Sequence, residues 1–175
     1  MRWRTAASGL VVGALLAVST GCDDSAVPGN RDRLESVGSE EGAGVLCMPV
    51  SRSGGAWFAW ETVENVSDSA IVVTGVKVDD DELSVDEWFL ADEYWEESGV
   101  GRGPLPRPGE AKLSSTISPG ATVLVAMSVS TDGLVERRKT KAKVLYDDGG
   151  NDRELPLRWG LEVVPADQAC NYADD

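Results

Sequence analysis

"SPGATVLVAMSVS" (118–130) decides the fold. Pro119 and Gly120 turn the chain, and Val123, Val125, Met127 and Val129 then fall on one face at the two-residue period of a strand. Similar runs recur on either side. "AWFAWETVEN" (56–65) is strand-like, and "AIVVTGVKV" (70–78) is β-branched and apolar on both faces, as a central strand should be. "AKLSSTI" (111–117) alternates at Leu113, Ser115 and Ile117. "KTKAKVLY" (139–146) sets three lysines on one face against Ala142, Val144 and Tyr146, which reads as a protected edge strand. "DDGGN" (147–151) is a strong hairpin turn, because Gly149 and Gly150 accept positive φ. "ELPLRWGLEVV" (154–164) returns with Leu155, Leu157, Trp159, Leu161 and Val163 in phase, and Pro156 places its start at an edge or a bulge.

Short strands at this spacing with Gly/Pro turns predict a mainly β fold, an antiparallel immunoglobulin-like β-sandwich of about seven strands. "ENVSDSAIVVTGVKV" (64–78) and "ISPGATVLVAMSV" (117–129) resemble the strand-turn-strand pieces of bacterial Ig-like modules. Trp57, Trp60 and Trp159 are assigned to the sandwich.

One segment departs from the β pattern. "DDDELSVDEWFLADEYWEESG" (79–99) carries ten acids and no Lys or Arg. Ser84 with Glu87 has the capping-box spacing and Gly99 is suited to a helix end, so a short inserted helix is expected over about 85–97. "GVGRGPLPRPG" (99–109) reads as a loop without secondary structure.

The N-terminus has a different character. "MRWR" (1–4) is positive, "GLVVGALLAV" (9–18) is apolar, and "STGC" (19–22) follows: the layout of a secretory signal. Ten apolar residues as a helix span about 15 Å, half a bilayer core, too short for a membrane span. Thr20, Gly21 and Cys22 resemble the lipobox of bacterial lipoproteins. That resemblance implies cleavage before Cys22, diacylation of its thiol and a membrane anchor there; two acyl chains hold stably where one is marginal. Residues 1–21 are then the signal peptide, 22–45 a flexible lipid-anchored tether rich in Ser, Gly, Asp and Glu, and 46–175 the Ig-like domain.

Cys22 thus assigned leaves Cys47 and Cys170, at opposite ends of the domain. Export places them in an oxidising compartment, where pairing is the default. First and last strands of such a sandwich run parallel, so the tail after Val164 must fold back, and Pro165 is placed to turn it.

The chain carries 16 basic and 30 acidic residues, a formal charge of −14, and no histidine. Such a surface repels phosphate backbones, which excludes nucleic-acid binding, and favours cationic partners. Without histidine no Ser-His-Asp or Cys-His catalysis is possible within the chain, and it is expected not to be an enzyme. No cofactor is expected. Asp79, Asp80, Asp81 and Glu82 offer hard oxygen ligands for calcium, although their spacing matches no EF-hand loop. Asn65, Val66 and Ser67 match a glycosylation sequon that a bacterial lipoprotein would leave unused.

Together these features predict a non-catalytic binding or accessory module of the bacterial cell envelope, outside the cytoplasm and lipid-anchored through Cys22. Trp88, Tyr94 and Trp95 are its candidate partner surface, facing an envelope protein or a cationic or glycan ligand. The alternatives are a calcium-stabilised structural domain and a hydrolase using Asp and Glu alone.

Overall fold

The strand that Pro119 and Gly120 open lies at the middle of a sheet in the computed structural model, which describes residues 33–37, 43–109, 113–133 and 136–170. Among the described residues the strands are β1 (Leu34–Ser36), β2 (Val45–Pro49), β3 (Gly55–Asn65), β4 (Ile71–Val78), β5 (Ser84–Ala91), β6 (Gly99–Arg102), β7 (Leu113–Ser114), β8 (Thr116–Ile117), β9 (Thr122–Ser130), β10 (Arg138–Asp147) and β11 (Asp152–Val164). They form two sheets. The first runs β1-β3-β9-β5-β7, with β6 also paired to β3; the second runs β2-β11-β10-β4-β8. Every pair is antiparallel except β2–β11, where Cys47 stands beside Glu162 in parallel register. The fold is a mainly β, immunoglobulin-like sandwich.

The inner faces meet in one core. Val123, Val125, Met127 and Val129 of β9, with Phe58 and Val63 of β3, pack against Ile71 and Val73, Val144 and Tyr146, and Leu161 and Val163 of the second sheet. Each side chain fully buried here contributes about 1.5–3 kcal/mol of transfer free energy. The expected faces of β9 and β10 are both present. Phe58 and Tyr146, each 2% exposed, are the central aromatics; Trp57, Trp60 and Trp159 are not.

Four expectations are corrected. No helix occurs among the described residues, and residues 84–91 are β5, paired with β9 from Ser84↔Ser130 to Ala91↔Leu124. A bulge between Val85 and Glu87 restores the alternation, so Val85, Trp88 and Leu90 serve the main core. Phe89 and Ala91 enter a second cluster on the outer face of the sheet, with Leu105, Leu124 and Ala126. Burial on both faces outweighs a capping signal worth about 1 kcal/mol. Next, "GVGR" in the expected loop is β6, pairing Ala56–Ala59 of β3. Gly101 permits it: a Cβ there would lie 2.3 Å from the Trp57 ring. Third, β10 is central rather than an edge, its lysines covering the solvent face beside acids of neighbouring strands: Lys143 reaches Asp79 at 2.8 Å and Glu154 at 3.7 Å.

The fourth correction concerns the tether. Residues 34–36 pair with β3, and Leu34 is fully buried in the core. The folded domain therefore reaches back before residue 46.

Candidate interaction surface

Paired irregularities in facing strands build the most distinctive surface feature. β3 pairs with β9 until its register shifts between Ala59 and Glu61, which makes Trp60 an extra, bulged residue. Upstream of it Phe58 points inward; downstream Glu61 does, only 7% exposed, while Trp60 stays 45% exposed. In the second sheet the β10–β11 ladder jumps from Lys141↔Gly160 to Lys143↔Pro156. Leu157, Arg158 and Trp159 loop out there, as the proline foretold.

Glu61 joins the two. Its Oε1 accepts the backbone N–H of Arg158 at 2.6 Å and its Oε2 that of Trp159 at 3.0 Å. A buried carboxylate needs such donors, and the bulged N–H groups need an acceptor. The clasp brings Trp60 and Trp159 edge to face, centroids 6.3 Å apart at 80°. Tyr94, 56% exposed, donates its hydroxyl to the Trp60 carbonyl at 2.9 Å. Burial, and then the Glu61 carboxylate, raise the Tyr94 hydroxyl above its ordinary pKa of 10.0. Val37 N–H donates to the Thr62 carbonyl at 2.9 Å, and Arg158 Nη1 to the Val37 carbonyl at 3.2 Å. The cavity beneath the rings, beside Phe58 and Leu157, is only about 10 Å³, room for one water at most. This cluster offers a surface for contact rather than a pocket for a small molecule.

The residues singled out from sequence are distributed differently from expectation. Trp88 is half-buried against the main core, and Trp95 packs on Phe89 with ring centroids 5.7 Å apart. Of the three, Tyr94 is exposed, whereas Trp88 and Trp95 are half-buried. Tyr94 bonds instead to the backbone of Trp60, whose ring stands against Trp159; the sequence assigns both tryptophans to the sandwich. A bulge decides their placement, and its position has no sequence signature beyond Pro156 on the β11 side.

Cys47 and Cys170 are bonded, with Cα atoms 5.7 Å apart. After Val164, which pairs with Pro49, the chain turns at Pro165, whose carbonyl accepts the N–H of Gln168 at 3.0 Å, and comes back to Cys47. Glu162, 5% exposed beside Cys47, meets Arg137 at 3.0 Å.

The proposed calcium carboxylates turn to separate partners. Asp79 pairs with Lys143, Asp80 accepts the Glu82 N–H at 2.9 Å, and Glu82 pairs with Arg138 at 2.5 Å. Among the described residues no group of three or more His, Cys, Asp or Glu side chains is arranged to hold a metal. Asn65 of the sequon is fully buried, donating to the carbonyls of Ser69 and Ile117 and accepting from Ser67. Its amide is a structural clamp, closed to a modifying enzyme. Cys22 and the signal segment lie outside the described residues.

No family model and no curated protein matches this chain. Among solved structures it is similar to the VesB protease of Vibrio cholerae, at 11% identity and a TM-score of 0.39, covering 76% of this chain and 32% of that one. It is also similar to PapD-like domain 7 of human CEP192, at 12% identity and 0.37, covering 93% and 96%. The CooA pilin subunit of enterotoxigenic Escherichia coli matches at 10% and 0.33, over 77% and 99%. The chain thus spans about a third of VesB's length. The expectation that it is not an enzyme is corrected at this point. VesB and a second protease of Vibrio cholerae, the secreted serine protease VesC, stand among its matches, and the expectation is taken no further.

Proposed function

We propose that this chain is a lipid-anchored binding or accessory module of the bacterial cell envelope, with Trp60, Tyr94 and Trp159 as its contact surface. Residues 1–21 are its signal peptide and Cys22 its diacylated first mature residue. The described sandwich begins by Leu34. A disulfide closing the domain suits an oxidising compartment outside the cytoplasm.

The observation that carries the reading is the exposed aromatic pair at one edge of the sandwich. Trp60 and Tyr94 are, respectively, 45% and 56% exposed. Large aromatics that leave this much apolar surface in water, held rigid by hydrogen bonds and a neighbouring ring, resemble the anchors of protein interfaces. Replacing both Trp60 and Tyr94 with Ala should abolish capture of the partner from envelope extract while leaving the urea midpoint nearly unchanged. Undiminished capture contradicts the surface. The anchor has its own test: mass spectrometry of the mature N-terminus should find an acylated Cys22, and an unmodified thiol contradicts it.

A further inference from the structure

We infer that the Trp60–Tyr94 edge takes a cationic segment of a partner protein, one presenting Lys or Arg side chains. The inference rests on the reading of this edge as a contact surface and names the chemistry of its occupant.

Three observations select that chemistry. First, the backbone at this edge is already occupied. The Trp60 carbonyl takes the Tyr94 hydroxyl, the Thr62 carbonyl takes the Val37 N–H, and the N–H groups of Arg158 and Trp159 are spent on Glu61. A partner strand adding to the sheet here would find these groups taken, so recognition must use side chains. Second, Trp60 and Trp159 stand at 80° to each other. Perpendicular rings make no flat platform for the faces of consecutive sugars, but an indole left 45% exposed, as that of Trp60 is, suits an ammonium or guanidinium group. Third, charge is complementary. Asp92, Glu93, Glu96 and Glu97, all exposed, flank Tyr94 in the chain, the molecule as a whole carries −14, and Arg158, a cation next to Trp159 in the chain, donates to the Val37 carbonyl. Carboxylates around aromatic faces raise the local concentration of cations and strengthen their contact with the rings.

The test uses the purified full-length protein in neutral detergent, titrated with decalysine and, separately, with chitohexaose, and followed by NMR at fixed ionic strength. Decalysine should shift the indole N–H signal of Trp60. The Trp60→Ala variant, whose net charge is unchanged, should bind it at least tenfold more weakly, and Trp60→Phe should recover most of the affinity. A Kd for Trp60→Ala within twofold of wild type, with the Trp60 signal unmoved, means binding by net charge alone and overturns the inference. So does a Trp60 signal that responds to chitohexaose and not to decalysine. Either result leaves the edge as a contact surface, which stands or falls separately on in-cell crosslinking from position 60.

Discussion

The carboxylate of Glu61, on a strand of one sheet, accepts the backbone N–H of Trp159 in the other at 3.0 Å. Because its second oxygen takes the N–H of Arg158, one side chain satisfies two donors that the β11 bulge removes from its ladder. Glu61→Ala leaves both without a partner at a buried site, which should cost about 2–5 kcal/mol. Glu61→Gln, which keeps one acceptor, should cost roughly half as much on the same reasoning. Urea unfolding measures the stability, and loss of the near-ultraviolet signal of the Trp60–Trp159 pair should accompany it.

The Cys47–Cys170 bond ties the two ends of the domain together across 123 residues of sequence. On the chain-entropy account a loop of this size contributes at most about 5 kcal/mol, by restricting the unfolded state. Reduction, or Cys47→Ser with Cys170→Ser, should destabilise the domain by about 2–5 kcal/mol, read as a lower urea midpoint. An unchanged midpoint would show that the returning tail holds its place without the bond.

On the solvent face of the second sheet the hydrogen bond from Lys77, with Lys143 alongside, holds Glu154 below its ordinary value of 4.5. The hydrogen bond to Asp79, with Glu154 nearby, holds Lys143 above 10.5. A carboxylate with a lowered folded pKa contributes stability above its unfolded pKa and loses it as pH falls through the folded value. The amine is the reverse: its contribution is present below 10.5 and is lost as pH rises through its higher folded value. The stability difference between wild type and Glu154→Gln should therefore be flat over about pH 6–9 and shrink once pH falls below the unfolded carboxylate range. A difference that widens on acidification would contradict the network.

Gly101 faces the Trp57 ring so closely that a Cβ would sit 2.3 Å from it. Gly101→Ala should displace Trp57 from Ala59 and Leu124 and destabilise by about 1–3 kcal/mol, the usual range for overpacking. A thermal midpoint equal to wild type would show that β6 yields freely.

What was readable from sequence follows from what decides each element. β4, β9 and β10 announce themselves because apolar residues at period two bury against a partner sheet whatever the details. The Cys47–Cys170 bond is legible from the cysteine count and the expectation of export, while the parallel ends of the sandwich argue against it until Pro165 turns the tail back. β5 was not, because Ser84 and Glu87 mimic a helix start and only β9, forty residues later, supplies the partner that makes a strand. β1 was hidden for a similar reason: Leu34 is a single apolar residue in polar surroundings, and its burial depends on the distant β3. The aromatic edge escaped because a bulge rotates one tryptophan outward without altering composition or period.

The central claim is that the Trp60–Tyr94 edge contacts a partner, and photo-crosslinking in the native cells tests it most directly. A benzophenone amino acid replaces Trp60 in one strain and Val72 in another, two positions each 45% exposed, on different sheets. The account predicts a discrete adduct from position 60 and none from position 72. No adduct from position 60, or the same adducts from both, would contradict it.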